Sequence, residues 1–180
     1  MSSESESSYT EFEWYRTGKW NTIQQGDLLS DCPVPVPSKD LTRALLGALA
    51  GQAQESAYRF AVTELIVVSQ SCDLLKEKVD QVLLCEHVAS SKYGKETLEE
   101  IRKERRPNLH MIEACEIDGH QCEQRVIDFR TVYTLPKDFV LAFIKQQNSR
   151  LRLMPPYREH MAQAFARYFM RVGLPRNLKR

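Results

Sequence analysis

The sequence predicts a single domain of the α+β class, on three observations. Of its 180 residues, 42% are hydrophobic, which is enough for one core with a small appendage but not for two cores. Short β-branched runs separated by turn residues fill the first three quarters and predict strands. Apolar residues at helical spacing fill the last quarter. Strands followed by helices, without βαβ alternation, are typical of an α+β fold.

Charge divides the chain into three predicted segments. Residues 1–31 contain six acids and two bases, and residues 145–180 contain nine bases and the single acid Glu159, although the net charge is only +1. We expect an acidic, partly flexible leader over residues 1–19 and a β-rich domain with helical inserts over residues 20–135. A basic helical extension over residues 136–180 should pack on that domain.

Turn residues define the first elements. Gly26 and Asp27 punctuate a turn into a short strand that ends at residue 29. Prolines at positions 33, 35 and 37 lack amide donors and predict an edge strand or a polyproline-like connector. Ser38 is a suitable N-cap for a short amphipathic helix that ends at Gly51 and is inserted between strands.

The middle of the chain is predicted to be mostly strand. The apolar run over residues 58–69 is the predicted central strand, because it is too continuous to be half exposed. A helix over residues 95–106 ends before Pro107. The other predicted strands cover residues 79–88, 109–117 and 125–135.

The last quarter is predicted to be helical. A helix around residues 139–144 comes first. A longer helix begins at Pro155 and Pro156, where missing amides cost nothing, and ends at Gly173. Its aromatic side chains form one stripe, which should dock on the β-rich domain.

A polar run at residues 69–73 follows the predicted central strand, and such positions commonly carry functional side chains. Cys72 is the candidate nucleophile, Asp73 its neighbouring carboxylate and His110 the candidate base, with His87 as second choice. Alternatively, the polar groups of this run cap a turn for local reasons and Cys72 packs inward.

Five cysteines, an odd number without a CxxC pair, indicate reduced thiols. A zinc site could draw on Cys72, Cys115, Cys122 and either His110 or His120. However, the spacing of Cys115 and Cys122 does not match the short knuckles that hold structural zinc. The sequence therefore predicts neither a metal nor a cofactor.

Arginine alternates with apolar residues at the start of the last quarter and recurs along its final helix. Its forked donors suit phosphates, and a continuous basic surface would bind nucleic acid with a steep salt dependence. Alternatively, Leu151 and Leu153 pack inward while the arginines face water or pair with Glu159. The candidate phosphate ligands are Arg150, Arg152, Arg158, Arg167 and Arg171.

The order of elements resembles a known family. Residues 25–29, 65–69 and 82–84 are similar, within residues 20–90, to the Kid, PemK and MazF group of bacterial toxins. This resemblance implies an SH3-like β-barrel, here with an inserted helix and a C-terminal helical extension. It also implies a dimer that cleaves RNA and is inhibited by an antitoxin. The toxins carry a catalytic Arg-Pro before the second strand; the matching arginine is Arg59, which is followed by Phe60.

A second resemblance concerns residues 69–73, 156–160 and 171–175, which are similar to a group of bacterial proteins for which we expect a defence or stress role. We therefore expect a cytoplasmic protein that binds nucleic acid, RNA in preference to DNA, with any catalysis of the ribonuclease type. The alternative is a non-enzymatic module that binds a protein partner or a second copy. Residues 1–8 lack the features of a secretory signal, and no apolar stretch approaches the roughly 20 residues of a membrane span.

Overall fold

The computed structural model describes residues 13–51, 58–76 and 78–170. Within these ranges the chain forms seven strands, five α-helices and one 3-10 turn. The strands are β1 (Tyr15–Gly18), β2 (Leu28–Pro37), β3 (Tyr58–Val67), β4 (Gln81–Ala89), β5 (Leu109–Ile112), β6 (Arg125–Pro136) and β7 (Arg150–Leu153). The helices are α1 (Leu41–Leu49), α2 (Ser71–Leu75), α3 (Lys95–Arg102), α4 (Lys137–Gln146) and α5 (Tyr157–Phe169). The predicted α+β class is confirmed.

Five strands form one antiparallel sheet in the order β2-β3-β4-β6-β5, and β1 and β7 form a separate two-stranded ribbon. The described strands do not form a closed barrel. The central strand is β4 and not, as predicted, β3. The reason lies in the register, since β6 pairs along all of β4 whereas β3 shares only three residue pairs with it.

Gly26 and Asp27 connect the ribbon to the sheet. Asp27 forms a β-bridge with Arg152 of β7, and its carbonyl accepts a hydrogen bond from the Val67 amide at 2.9 Å. Gly26 has a φ of +86°, which glycine adopts without strain. A Cβ at this position would lie 3.1 Å from the carbonyl oxygen of Leu153. The close approach of β7 therefore requires the glycine of the predicted turn.

Hydrophobic side chains pack against both faces of the sheet. On one face, the ribbon and α5 cover Ile66 and Phe129. Met161 of α5 is fully buried there, and the Phe165 ring contacts the Phe129 ring edge-on with centroids 5.4 Å apart. The final helix thus packs against the five-stranded sheet. On the other face, α4 contributes Val140 to a second core.

The outer half of the β2–β3 strand pair extends beyond the rest of the sheet. Here β3 pairs with β2 alone, and Phe60 and Val62 are 82% and 64% exposed. The prediction that this whole run is buried is therefore wrong for its first half. Only the opposite face, which carries Val34, is covered by the second core.

The predicted edge position of β2 is confirmed. Backbone amides alternate sides along a strand, so Pro33, Pro35 and Pro37 share one direction. Since β2 is paired with β3 on its other side, the proline nitrogens point to the free edge. The edge therefore lacks amide donors at these three positions and resists the addition of another strand.

The segment predicted to be entirely helical contains one strand. Residues 150–153 form β7, which pairs with β1 at the end of the predicted leader. The polar run at residues 69–73 leads into the short helix α2. Residues 1–12 and the predicted helix end at Gly173 lie outside the described residues. None of the helices in the described ranges is long and apolar enough to cross a membrane.

Candidate functional site

A polar cavity of about 560 Å³ opens beside Leu28 and Leu151, at the edge of the core between the sheet and the ribbon. Its walls come from β2, β3, β4, β6 and β7, from α4, and from two further segments. These are the loop at residues 119–122 and residues 146–149, which comprise the end of α4 and the loop after it. We call it the Arg125 cavity.

Three side chains from adjacent strands meet in this cavity: Glu64 of β3, His87 of β4 and Arg125 of β6. Arg125 Nη1 lies 3.5 Å from Glu64 Oε2 and 3.2 Å from His87 Nδ1. The Asp31 amide donates a hydrogen bond of 3.0 Å to Glu64 Oε1. The guanidinium is therefore held from two sides, which fixes its position in the cavity.

His87 acts as a neutral acceptor. A guanidinium can only donate, so Nδ1 of His87 accepts and Nε2 carries the hydrogen. Burial first, and then Arg125, lower the pKa of His87 to about 3, while the Leu65 carbonyl opposes the shift. Its buried Nε2 has no hydrogen-bond partner of normal geometry among the described residues. His87 therefore orients Arg125, and its lowered pKa makes it a weak base at neutral pH.

The two loops bring a second pair of groups to the cavity. His120 Nε2 and Ser149 Oγ lie 2.7 Å apart. His120 is carried by a hairpin whose base is the pair Cys115 and Cys122. Amide side chains complete the polar wall, namely Gln121, Gln146, Gln147 and Asn148.

These groups can recognise a polar ligand. The guanidinium donates a rigid fork, and the hydroxyl, imidazole and amide groups both donate and accept. Asp31 and Glu64 also line the cavity. Its lining is therefore mixed in charge, and it favours directed hydrogen bonding over general attraction of anions.

Two of the predicted phosphate ligands are part of the fold instead. Arg150 and Arg152 are only 3% and 8% exposed, and both bind the fully buried Asp27. Arg150 Nε donates to Asp27 Oδ2 at 3.1 Å, and the Arg152 guanidinium lies 4.1 Å from the centre of the Trp20 ring. Both arginines are therefore buried and paired instead of facing water, and they do not form part of an exposed basic surface, although Arg150 also lines the Arg125 cavity. The inward packing of Leu151 is confirmed.

The remaining basic candidates do not form a continuous surface with Arg150 and Arg152. Arg158 pairs with Glu159 at 2.6 Å, and the exposed Arg167 lies 3.7 Å from Glu104 of the loop after α3. Arg171 lies outside the described residues.

The structure does not bring Cys72 and His110 together. Cys72 is exposed on α2 and its Sγ lies 3.7 Å from Asp73 Oδ1. His110 lies on β5, at the far edge of the sheet, with its ring against Phe129. Arg59 is exposed on the first half of β3, which pairs with β2 alone. These four predicted catalytic residues therefore do not share one site.

Burial lowers the pKa of His110 to about 4. The charges around it are Glu104, which opposes the shift, and His160 and Arg167, which add to it. In the described parts of the chain, no group of three His, Cys, Asp or Glu side chains is arranged to hold a metal ion.

Sequence reasoning missed four residues of the Arg125 cavity: Glu64, Arg125, His120 and Ser149. One signal was available, because Glu64 is the only charge among residues 60–68, which are otherwise apolar apart from Thr63, and a buried charge needs a partner. His120 was considered only as a zinc ligand. Nothing local indicates that Ser149 would meet it.

No protein-family model matches the chain, and no curated protein is significantly similar to it.

Proposed function

We propose that the protein binds a short single-stranded segment of RNA in the Arg125 cavity. The observation that carries the proposal is the meeting of Arg125, His120 and Ser149 in one cavity of about 560 Å³, a volume within the usual range of ligand sites. A fixed arginine suits a phosphate, and amide, hydroxyl and imidazole groups suit the edges of unpaired bases and the ribose 2′-hydroxyl.

The contacts of the ribbon with both edges of the sheet also support RNA as the ligand. The bridge between Asp27 and Arg152 continues the sheet into the ribbon, and the Tyr15 hydroxyl donates a hydrogen bond of 2.6 Å to the carbonyl of Glu113 just after β5. We read this arrangement as an incomplete barrel of the SH3-like type. It agrees with the resemblance of residues 20–90 to the Kid, PemK and MazF toxins, whose ligand is RNA.

Fluorescence anisotropy with mixed-sequence single-stranded RNA and DNA at low salt tests this proposal. We expect RNA to bind more tightly than DNA. Loss of a charge-assisted hydrogen bond costs about 1.5–3 kcal/mol, so Arg125→Ala should weaken RNA binding about 10- to 100-fold, and His120→Ala should also weaken it. Arg59→Ala is the matched control, because Arg59 is exposed outside the cavity.

Absence of binding by the wild type, or an equal loss in Arg59→Ala, would reject the proposal. Electrophoresis of the same RNA samples follows degradation, which is a separate question from binding.

A second candidate function is association with a second copy of the chain. It is favoured by the exposed face of the β2–β3 extension, which we call the apolar arm. Six side chains lie opposite one another in register on this face: Pro33, Pro35, Pro37, Tyr58, Phe60 and Val62. Tyr58, Phe60 and Val62 are each more than 60% exposed, and contiguous apolar surface of this kind marks interaction sites. An isologous dimer brings such a face against itself.

A further inference from the structure

Cys115 and Cys122 face each other across the hairpin that carries His120. They form an isolated antiparallel bridge in which each amide donates to the other residue's carbonyl at 2.9 Å. Residues that exchange both hydrogen bonds have Cα atoms about 5.5 Å apart. This Cα separation lies within the range that a disulfide spans, and side chains at paired positions point to the same face. The Cβ atoms of directly opposite residues are about 4.5–5.5 Å apart, so they must approach to about 3.5–4.5 Å as the bond forms.

The two thiols differ in how accessible they are from the Arg125 cavity. Cys115 is 4% exposed and belongs to the core beside Tyr15, whereas Cys122 is half-buried and lines the Arg125 cavity. Burial raises the pKa of the Cys115 thiol. A small oxidant in the cavity therefore meets Cys122 first, with Cys115 behind it.

The other cysteines have no comparable partner. Cys32 and Cys85 are fully buried, and burial raises their pKa values to about 11 and about 12. Cys72 is exposed on α2, outside the hairpin. Neither Cys32 nor Cys85 lines the Arg125 cavity, so an oxidant that enters the cavity does not reach them.

We propose that Cys115 and Cys122 form an oxidisable dithiol site that peroxide converts to a disulfide, which locks the hairpin presenting His120. The Cys122 thiol transfers two electrons to hydrogen peroxide, giving a sulfenic acid and one water. The Cys115 sulfur then displaces the hydroxyl from the Cys122 sulfur, which forms the S–S bond and releases a second water.

The effect on binding rests on the proposed function. A hairpin fixed in its bound geometry loses less conformational entropy when RNA binds. The oxidised protein should therefore bind RNA at least about twofold more tightly than the reduced protein, and the difference should vanish in Cys115→Ser.

The experiment uses the full chain carrying Cys72→Ser, so that an exposed thiol cannot link two molecules. After a short treatment with hydrogen peroxide, free thiols are counted and the linked peptides are mapped by mass spectrometry. We expect two of the four remaining thiols to disappear and the mass of the protein to fall by that of two hydrogen atoms. The mapped peptides should contain one Cys115–Cys122 linkage. Adding Cys115→Ser should instead leave a sulfenic acid at Cys122, which dimedone traps.

Retention of all four thiols, a linkage that involves Cys32 or Cys85, or irreversible oxidation of Cys122 without a linkage would overturn the dithiol site. The RNA titration is read separately. If neither redox form binds RNA, the proposed function fails while the mapped disulfide stands. If both forms bind equally, the dithiol exists but does not regulate the cavity.

Discussion

Asp27 pairs with two buried guanidinium groups at once. Arg150 and Arg152 approach its carboxylate from neighbouring positions of β7, and the Trp20 ring covers them. Buried charges without a partner are far more costly than exposed ones. The position of β7 against the sheet therefore depends on this one carboxylate.

Replacing Asp27 should destabilise the protein strongly. Asp27→Asn leaves two buried cations without a counter-charge, and we expect a loss of about 3–5 kcal/mol in the free energy of unfolding, measured by urea denaturation. Asp40→Asn is the control, because its ion pair with Arg43 is well exposed on both sides and should contribute less than about 1 kcal/mol. Similar losses in the two variants would contradict the structural role of Asp27.

His110 should make stability depend on pH. Its pKa is about 4 in the folded protein and 6.5 ordinarily, so it contributes nothing above pH 6.5, where it is neutral in both states. As the pH falls from 6.5 to about 4, the unfolded chain takes up the proton first and stability is lost.

His110→Gln should reduce this slope by about one proton, or about 1.4 kcal/mol per pH unit. Urea denaturation of the wild type and the variant at several pH values measures this slope. The carboxylates and His87 also titrate, but their contributions to the slope cancel when the two proteins are compared. An unchanged slope would show that His110 is not buried as described.

Residue roles in the buried cluster could not be predicted from local sequence. The hydrogen bond between Arg150 and Asp27 joins positions 123 residues apart. The alternation of Arg and Leu at residues 150–153 has the period of a strand, but exposure to water is the usual fate of arginine on a strand. Only the ion pairs with Asp27 explain why these arginines are buried.

The apolar arm leaves apolar side chains uncovered in the folded chain. Its inner face packs on the second core, while its outer face keeps Phe60 at 82% exposure. The edge prolines prevent association through main-chain hydrogen bonds, so association would occur face to face.

Phe60→Lys should abolish self-association while leaving the fold intact. Sedimentation velocity over a range of concentrations should show a reversible dimer for the wild type and a monomer for the variant. Because Phe60 is exposed, we expect stability to change by less than about 0.5 kcal/mol. Leu75→Lys, at a 52% exposed site on α2, should not affect the dimer. A wild type that stays monomeric would remove the second candidate function.

Helices and strands were predicted correctly where a periodic pattern extends over many residues. Prediction failed where a short strand forms only because it pairs with a distant one. The helix that begins at Leu41 and the strand that begins at Arg125 follow from spacing and turn residues. By contrast, β1 and β7 have four residues each, and Tyr15 finds its partner Leu153 at the other end of the chain. So short a strand has no intrinsic preference that sequence reasoning can detect.

At the scale of the molecule, the class of fold was predictable but its closure was not. The order of apolar runs and turns determines the α+β class. Closure depends on strand register and on bulges, which occur here between Leu29 and Cys32 and between Cys85 and Glu86. The open sheet and its ribbon are a consequence of pairings that no local pattern specifies.

The same reason explains why the Arg125 cavity was missed. Glu64, His87 and Arg125 come from three strands that the register sets side by side, and His120 and Ser149 come from two loops. The polar run at residues 69–73 stood out in the sequence, yet it leads into α2, away from His110. A cluster assembled from single residues carries no sequence motif.

Photocrosslinking of 4-thiouridine-containing RNA, followed by peptide mapping, tests the central claim most directly. If RNA occupies the Arg125 cavity, adducts should concentrate in the segments at residues 119–122 and 146–149 and should be lost with Arg125→Ala but not with Arg59→Ala. Adducts confined to α5 or to the apolar arm, or none above the background of a non-binding control protein, would contradict it.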